Sequence, residues 1–263
     1  MHEPKICLIM IAETKTGFFR KNEVDMRYEH TVKGRFLERP NRFIAYVEVN
    51  GQRVICHVKN TGRCRELLTS GCTVVLEFHP HAREMGRKTE FDLIAVYKGN
   101  LLINMDSQAP NRAALEWMEN LSQKEPNDNA LRMLQPFDPS GSIWLPRKIR
   151  REVVHKDSRF DLAFMLENQQ TGALKPAFME IKGVTLEENG IVRFPDAPTE
   201  RGVKHLQGLS EAVAEGFEAF VLFVIQMEGV REFRPNDETH KPLGTPCGQE
   251  PEPDCIFWPM TVR

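Results

Sequence analysis

Two carboxylates and an amine in the middle of the chain have the types and spacing of a metal site. Glu180 and Lys182 flank Ile181 in an apolar segment, and Asp161 lies in an earlier apolar segment. Residues two apart on a strand point to the same face, so Glu180 and Lys182 are expected to project together. If the strand carrying Asp161 pairs beside them, the two carboxylates repel each other unless a cation lies between them. The sequence therefore predicts that Asp161 and Glu180 are metal ligands.

The predicted ion is Mg²⁺ or Mn²⁺, because hard divalent cations take oxygen ligands from one or two carboxylates and retain several waters. Such an ion lowers the pKa of bound water and polarises a phosphoryl oxygen, and Lys182 would orient that water or offset the developing charge. This chemistry is typical of a metal-dependent nuclease. The alternative is that the Glu-x-Lys pair is a chance feature of a solvated strand face.

Glu152 is a candidate third acid. It lies before Lys156-Asp157, which would be the turn of a hairpin over residues 152–166 and would return the chain toward Asp161. The predicted catalytic residues are accordingly Glu152, Asp161, Glu180 and Lys182.

The segment after the Glu-x-Lys pair predicts an α/β core. Residues 176–184 are expected to form a strand, residues 202–214 a helix with one apolar face, and residues 217–225 a buried strand, which together make a parallel crossover. Arg201, Lys204 and His205 fall in the first turns of the helix, where backbone amides favour phosphate. His205 is interpreted either as a proton-transfer group or as a packing residue.

Four motifs resemble those of the sugar fermentation stimulation protein (SfsA) family. They are residues 35–43 (RFLERPNRF), 57–63 (HVKNTGR), 180–186 (EIKGVTL) and 194–206 (FPDAPTERGVKHL). The resemblance covers about residues 26–240. It implies a mixed α/β (α+β) protein with an N-terminal OB-fold-like β-barrel at 26–100 and a PD-(D/E)XK nuclease-like α/β domain at 101–241. By position, the family's acidic cluster falls on Glu152, Asp161 and Glu180, and its lysine on Lys182.

The resemblance implies DNA as the partner. Two functions follow: a DNA-binding protein with a Mg²⁺-dependent site that hydrolyses phosphodiester bonds, or a non-catalytic DNA-binding regulator of sugar-metabolism genes whose nuclease-like domain is a scaffold. The sequence leaves the choice and the oligomeric state open.

The N-terminal part of the chain is locally basic. The protein has a net charge of −2, with 41% hydrophobic and 27% charged residues, so it is not basic overall. Between residues 27 and 65, however, nine lysines and arginines stand against three glutamates. A basic groove with interleaved aromatics is typical of barrels that bind single strands. We therefore expect DNA, in particular single-stranded DNA, to contact Arg35, Arg39, Arg42 and Arg63, whereas Phe36, Phe43 and Tyr46 are as readily interpreted as core residues.

The six cysteines have no paired metal spacing, which predicts reduced thiols in a cytoplasmic protein. His57 with Cys64, or His79 with His81, would be the candidates for a metal site, but these histidines are interpreted instead as surface residues of a basic domain. Residues 1–25 are expected to be an unstructured leader or an error in the assigned start, since the family resemblance begins at Met26. Residues 242–263 are an atypical proline-rich tail, which a frameshift near Lys241 would explain.

Overall fold

The computed structural model describes residues 26–60, 62–124, 142–196 and 200–236, together with the backbone of residues 6–12. The chain divides into two compact units, one of Asp25–Arg112 with Gln226–Glu228 and the other of Met1–Val24, Ala113–Ile225 and Gly229–Arg263. The elements in chain order are β1 (Ile6–Ala12), β2 (Thr31–Glu38), β3 (Ile44–Val49), β4 (Gln52–Val58), β5 (Thr73–Phe78), β6 (Phe91–Lys98), β7 (Leu101–Asn104), α1 (Ala109–Ser122), β8 (Trp144–His155), β9 (Ser158–Asn168), β10 (Leu174–Val184), β11 (Leu186–Glu188), β12 (Ile191–Phe194), α2 (Glu200–Ala214), β13 (Glu218–Ile225) and β14 (Glu232–Pro235).

The first unit is a closed five-stranded barrel. Its strands are hydrogen-bonded in the order β4-β3-β2-β5-β6, and β4 also pairs with β6 in parallel, which closes the sheet. Closure removes the exposed edges that an open sheet would leave. β7 extends the sheet from β6. This confirms the predicted N-terminal OB-fold-like domain, although the barrel unit continues beyond the expected boundary at residue 100.

The hairpin of β3 and β4 shows how local sequence builds the barrel. Asn50 and Gly51 form its turn with φ of 50° and 77°, which is the left-handed pair that a two-residue Asn-Gly turn supplies. Ala45 and Val47 are fully buried, whereas Tyr46 between them is only partly buried. The alternation places one face of β3 in the barrel core.

The second unit contains a mixed five-stranded sheet in the order β1-β13-β10-β9-β8. β10 and β13 are parallel, and β9 and β8 follow as antiparallel neighbours. The predicted strands, the hairpin turn at Lys156-Asp157 and the helix before β13 are all confirmed. Trp117, Met118 and Leu121 of α1 pack with Met179 and Phe220 on one face of the sheet. A small sheet, β11-β12-β14, completes the unit.

Residues 6–12 differ from the expectation for the leader. They form β1, which pairs in parallel with β13 from Ile6↔Ala219 to Ala12↔Ile225, so the expectation of an unstructured leader is wrong for these seven residues. The run is apolar throughout, as is usual for a strand in a parallel arrangement. It pairs with the backbone hydrogen-bonding groups of β13 on the side away from β10. The remainder of 1–25 and the tail 242–263 lie outside the described residues. Neither helix of the described chain is long and apolar enough to span a membrane.

Gly34 marks the tightest backbone approach in the barrel. A Cβ atom added there would lie 2.4 Å from Val47 Cγ1 and 3.0 Å from the Glu48 carbonyl oxygen. We expect Gly34→Ala to lower the free energy of unfolding by about 1–3 kcal/mol, because overpacking forces the two strands apart. Urea denaturation measures the change. Thr31→Ala, at an exposed position of the same strand, is the control and should shift stability by less than ~0.5 kcal/mol; equal midpoints for both variants would contradict this packing.

Candidate active site

β9 and β10 bring Asp161 beside Glu180. Their antiparallel register ends at Met179↔Leu162, so the next positions along the two strands are Glu180 and Asp161. The Ile181 amide donates a hydrogen bond to Asp161 Oδ2 over 2.7 Å. Asp161 is thereby anchored to the backbone of the residue that separates Glu180 from Lys182.

Strand alternation is interrupted at Asp161. Leu162 belongs to the core that α1 covers, whereas Phe160 packs against Phe178 with its ring tilted and lies under Gly208 of α2. Phe160 and Leu162 are two residues apart, so on a regular strand their side chains would share one face. The backbone therefore turns at Asp161, and this irregularity directs its side chain toward the Ile181 amide.

Glu180 is a buried acid with two dissimilar oxygens. The residue is 2% exposed. Oε1 accepts a hydrogen bond from Lys182 Nζ at 2.6 Å and contacts His205 Nδ1. Oε2 is also buried, and no donor in the described part of the chain bonds to it. A buried charged acceptor without a hydrogen-bond donor destabilises the folded state by about 1–3 kcal/mol or more.

Lys182 and His205 reach Glu180 from different elements. Lys182 is two residues further along β10, and its contact with Glu180 confirms that the two side chains share a face. His205 lies on the face of α2 that also carries the fully buried Leu209 and Ala212, at helical spacings of four and seven. Lys182 Nζ and His205 Nδ1 are 3.5 Å apart. With Nδ1 protonated, the imidazole donates to the carboxylate and leaves Nε2 as an acceptor.

Glu152 does not join this group. Its carboxylate lies 3.9 Å from Arg159 Nη1, and its side chain is 60% exposed. Within the described residues, the ligand atoms of Glu152, Asp161 and Glu180 do not all approach within 4.8 Å of one another. The reason is local, because β8 pairs Arg151 with Leu162 and Val153 with Phe160 and so sets Glu152 opposite Asp161. At Glu152 itself, however, the backbone has a positive φ of 50° and departs from strand geometry.

The remaining acids fit a hard divalent cation. Asp161 and Glu180 offer only oxygen donors, which Mg²⁺ prefers. The buried Glu180 Oε2 lacks a described hydrogen-bond donor, and a cation would satisfy it. These two residues are the ones that would hold the ion.

Comparison with known proteins agrees with the motifs and the two-unit fold. Residues 37–105 match the family model described as SfsA N-terminal OB domain, and residues 109–252 match the one described as Sugar fermentation stimulation protein RE domain. The chain belongs to the SfsA family. A sugar fermentation stimulation protein homolog from Desulfitobacterium hafniense (strain Y51) is 50% identical over 219 residues, which are 83% of each chain. A homolog from Clostridium beijerinckii is 48% identical over 83% of this chain and 84% of its own.

A solved structure shares the SfsA fold. The structure of Pyrococcus furiosus SfsA in complex with Ca²⁺ superposes with a TM-score of 0.62 at 22% identity, covering 83% of this chain and 82% of that one. This likeness supports the mixed α/β architecture with an N-terminal barrel.

On the SfsA barrel, the arginines expected to bind DNA separate into two groups. Arg35 pairs with Glu48 through two hydrogen bonds of 3.3 and 3.0 Å. Arg42 and Arg63 are exposed, and neither forms an ion pair with another described residue. Of the three aromatics considered with them, Phe36 is buried in the core, and Phe43 is 52% exposed beside Arg42.

Arg39 holds backbone segments of the barrel unit together. Its guanidinium donates to four backbone carbonyls, those of Arg42, Asn60, Gly62 and Arg63, at 2.6–2.9 Å. It thus holds residues 39–43 to Asn60, Gly62 and Arg63, and so fixes the backbone of the exposed Arg42 and Arg63. Both terminal nitrogens of Arg39 are engaged in these bonds, whereas its buried Nε has no hydrogen-bond partner among the described residues.

The SfsA nuclease-like unit has a basic edge that the sequence reasoning missed. Lys148, Arg150 and Arg151 are exposed on β8, the last strand of its sheet. None forms an ion pair with another described residue. The run R-K-I-R-R at 147–151 was the available signal. At the start of α2, Lys204 is exposed, whereas the side chain of Arg201 lies outside the described part of the structure.

Arg39 offers a test of this loop architecture. Lysine keeps the charge but lacks the planar fork that reaches several acceptors at once. We expect Arg39→Lys to lower the free energy of unfolding by about 2 kcal/mol, since charge-assisted hydrogen bonds are lost. Arg42→Lys is the matched control, with an expected change below ~0.5 kcal/mol. Comparable urea midpoints for the two variants would show that the carbonyl contacts do not hold the loops.

Proposed function

We propose that the protein binds DNA and hydrolyses phosphodiester bonds at Asp161, Glu180 and Lys182 with the help of Mg²⁺. One observation carries the proposal: Glu180 Oε2 is buried and has no described hydrogen-bond donor, while Oε1 is held by Lys182 and His205. A chain that needed only a structural carboxylate would gain by satisfying both oxygens. The unsatisfied oxygen next to a second carboxylate supports a cation-binding role.

The residues divide the chemistry among them. Asp161 and Glu180 hold the metal, which when bound polarises a phosphoryl oxygen and lowers the pKa of a bound water. Lys182 orients Glu180 through their hydrogen bond, and its ammonium offsets charge that develops on the phosphate. His205 donates from Nδ1 to Glu180 and presents Nε2 as a proton acceptor. The Pyrococcus furiosus relative was solved with Ca²⁺, which takes oxygen ligands as Mg²⁺ does.

Exposed cations of both units support DNA as the substrate. In the nuclease-like unit, Lys148, Arg150 and Arg151 lie on the strand next to β9, which carries Asp161. In the barrel unit, Arg42 and Phe43 combine a cation with an exposed ring, a pairing that suits the backbone and bases of a single strand. Arg39 holds that segment in place before any ligand arrives, so less conformational entropy is lost on binding.

Cleavage is tested with labelled single- and double-stranded DNA in Mg²⁺, Mn²⁺ or EDTA. We expect Asp161→Asn and Lys182→Ala each to lower metal-dependent cleavage by at least ~100-fold, as for removal of one preorganised charge from a reacting centre. DNA affinity, measured by electrophoretic mobility shift, should be largely retained because the exposed cations remain.

Lys175→Ala is the matched control for Lys182→Ala. Lys175 is another lysine of β10 with a carboxylate partner, Glu218 at 2.7 Å, and its variant should cleave at the wild-type rate. Full activity of Asp161→Asn would refute the assignment of the site. Tight DNA binding by the wild type without cleavage in either metal would instead favour the non-catalytic DNA-binding regulator.

The basic edge of β8 is tested through the salt dependence of binding. Each phosphate contact to a single strand contributes about 0.7 to the slope of log K against log salt. The double variant Arg150→Ala/Arg151→Ala should therefore flatten that slope by ~1.4 if both arginines contact phosphates. Fluorescence anisotropy over a range of KCl concentrations gives the slope.

The control for this experiment is Arg83→Ala/Lys88→Ala. It makes the same change in formal charge at exposed positions in the loop before β6. Its slope should equal that of the wild type. If both double variants flatten the slope alike, the binding reflects overall charge and not a surface along β8.

A further inference from the structure

A second group of ligand-type side chains lies in the barrel unit, independent of the Asp161–Glu180 site. Glu77 of β5 and Asp92 of β6 are directly paired in the antiparallel register. His79 follows two residues after Glu77, and its amide continues the pairing by donating to the Glu90 carbonyl at 2.8 Å. Positions two apart share a face. The three side chains therefore converge by strand geometry.

The distances among their ligand atoms match those around a small metal ion. His79 Nε2 is 3.0 Å from Asp92 Oδ2 and 3.7 Å from Glu77 Oε2, and all three ligand atoms lie within 4.8 Å of one another. Bonds of 2.0–2.2 Å to a tetrahedral ion place neighbouring ligand atoms about 3.4 Å apart. The observed separations lie on either side of that value.

The other oxygen of each carboxylate is held by a separate partner. Glu77 Oε1 accepts from the Glu29 amide at 3.2 Å, and Asp92 Oδ1 accepts from Arg87 Nη2 at 2.6 Å. Oε2 and Oδ2 are left facing His79. Anchoring of this kind orients ligands in established metal sites. Asp92 is 3% exposed, so its charge is largely removed from water.

A cavity of about 370 Å³ adjoins the cluster, and Glu77, His79, His30 and His81 are among the residues that line it. It gives an ion a route of entry and gives a water or small anion access to a fourth coordination position. His81 differs from His79, since it pairs with Glu84 at 3.2 Å and its side chain is 70% exposed.

We propose that Glu77, His79 and Asp92 bind a first-row transition-metal dication, with Zn²⁺ the ion that the donor set suits best. One imidazole and two carboxylates favour Zn²⁺ over Mg²⁺ or Ca²⁺, which take oxygen ligands. The ion joins β5 to β6 at the point where the segment 79–90 leaves and re-enters the barrel. Its binding stabilises the barrel by mass action, because the unfolded chain does not present the three ligands together.

The test is isothermal titration calorimetry of the full-length, EDTA-treated and dialysed protein with ZnCl₂ in excess MgCl₂. We expect the wild type to bind one Zn²⁺ per chain through this cluster. His79→Ala and Glu77→Gln should each weaken that affinity by at least about tenfold, as loss of a ligand exceeds the 10–100-fold effect of its supporting contacts. Glu180→Gln should bind this Zn²⁺ as the wild type does, which distinguishes the cluster from the Asp161–Glu180 site.

His81→Ala is the matched control, because it removes a histidine from the same cavity without touching the cluster. Its Zn²⁺ affinity should equal that of the wild type, and Zn²⁺ should raise the Tm of the wild type and of His81→Ala but not of His79→Ala. Circular dichroism and urea midpoints show whether each variant is folded. If His79→Ala is unfolded, the Zn²⁺ affinity of Glu77→Gln tests the proposal in its place. The proposal is overturned if wild-type protein binds no Zn²⁺, if the two cluster variants bind it normally, or if His81→Ala loses it equally.

Discussion

The burial of one carboxylate governs the arrangement of the nuclease-like unit. Glu180 lies on an internal strand and is covered by α2, so its charge is largely removed from water. An isolated carboxylate in such a place is strongly disfavoured. Lys182 and His205 provide the compensating donors, one from the same strand and one from the helix. The position of α2 on the sheet is consequently tied to the contact between His205 and Glu180, and tight packing of Gly208 on Ser158 reinforces it.

Much of the fold could be predicted because its signals are local. The Asn50-Gly51 turn, the alternation in β3, and the strand, helix and strand from β10 to β13 all depend on residues close in sequence. The shared face of Glu180 and Lys182 follows from the same two-residue period. His205 was recognised as a candidate from its position in the family motif, and the structure shows its contact with Glu180.

Other features depend on pairings that sequence periodicity does not reveal. Glu152 was expected beside Asp161, and the ladder does set it opposite Asp161, but the positive φ of Glu152 breaks the strand alternation and carries no clear sequence signal. Residues 6–12 were dismissed as a leader because their partner, β13, lies far along the chain. The grouping of Glu77 with Asp92 requires the register of β5 and β6, which itself shifts between Val75 and Leu76. For residues 6–12 and for Glu77 with Asp92 the missing information was a non-local register, whereas for Glu152 it was a local distortion of the backbone.

The contacts of Arg39 have a consequence for how the family diverges. All four of its acceptors are main-chain carbonyls, which every residue type possesses. Substitution of Arg42 or Arg63 therefore alters the chemistry that the two loops present without removing an acceptor that shapes them. The loop conformation and the side chains that the loops expose are encoded by different residues, so the exposed chemistry can change on an unchanged scaffold.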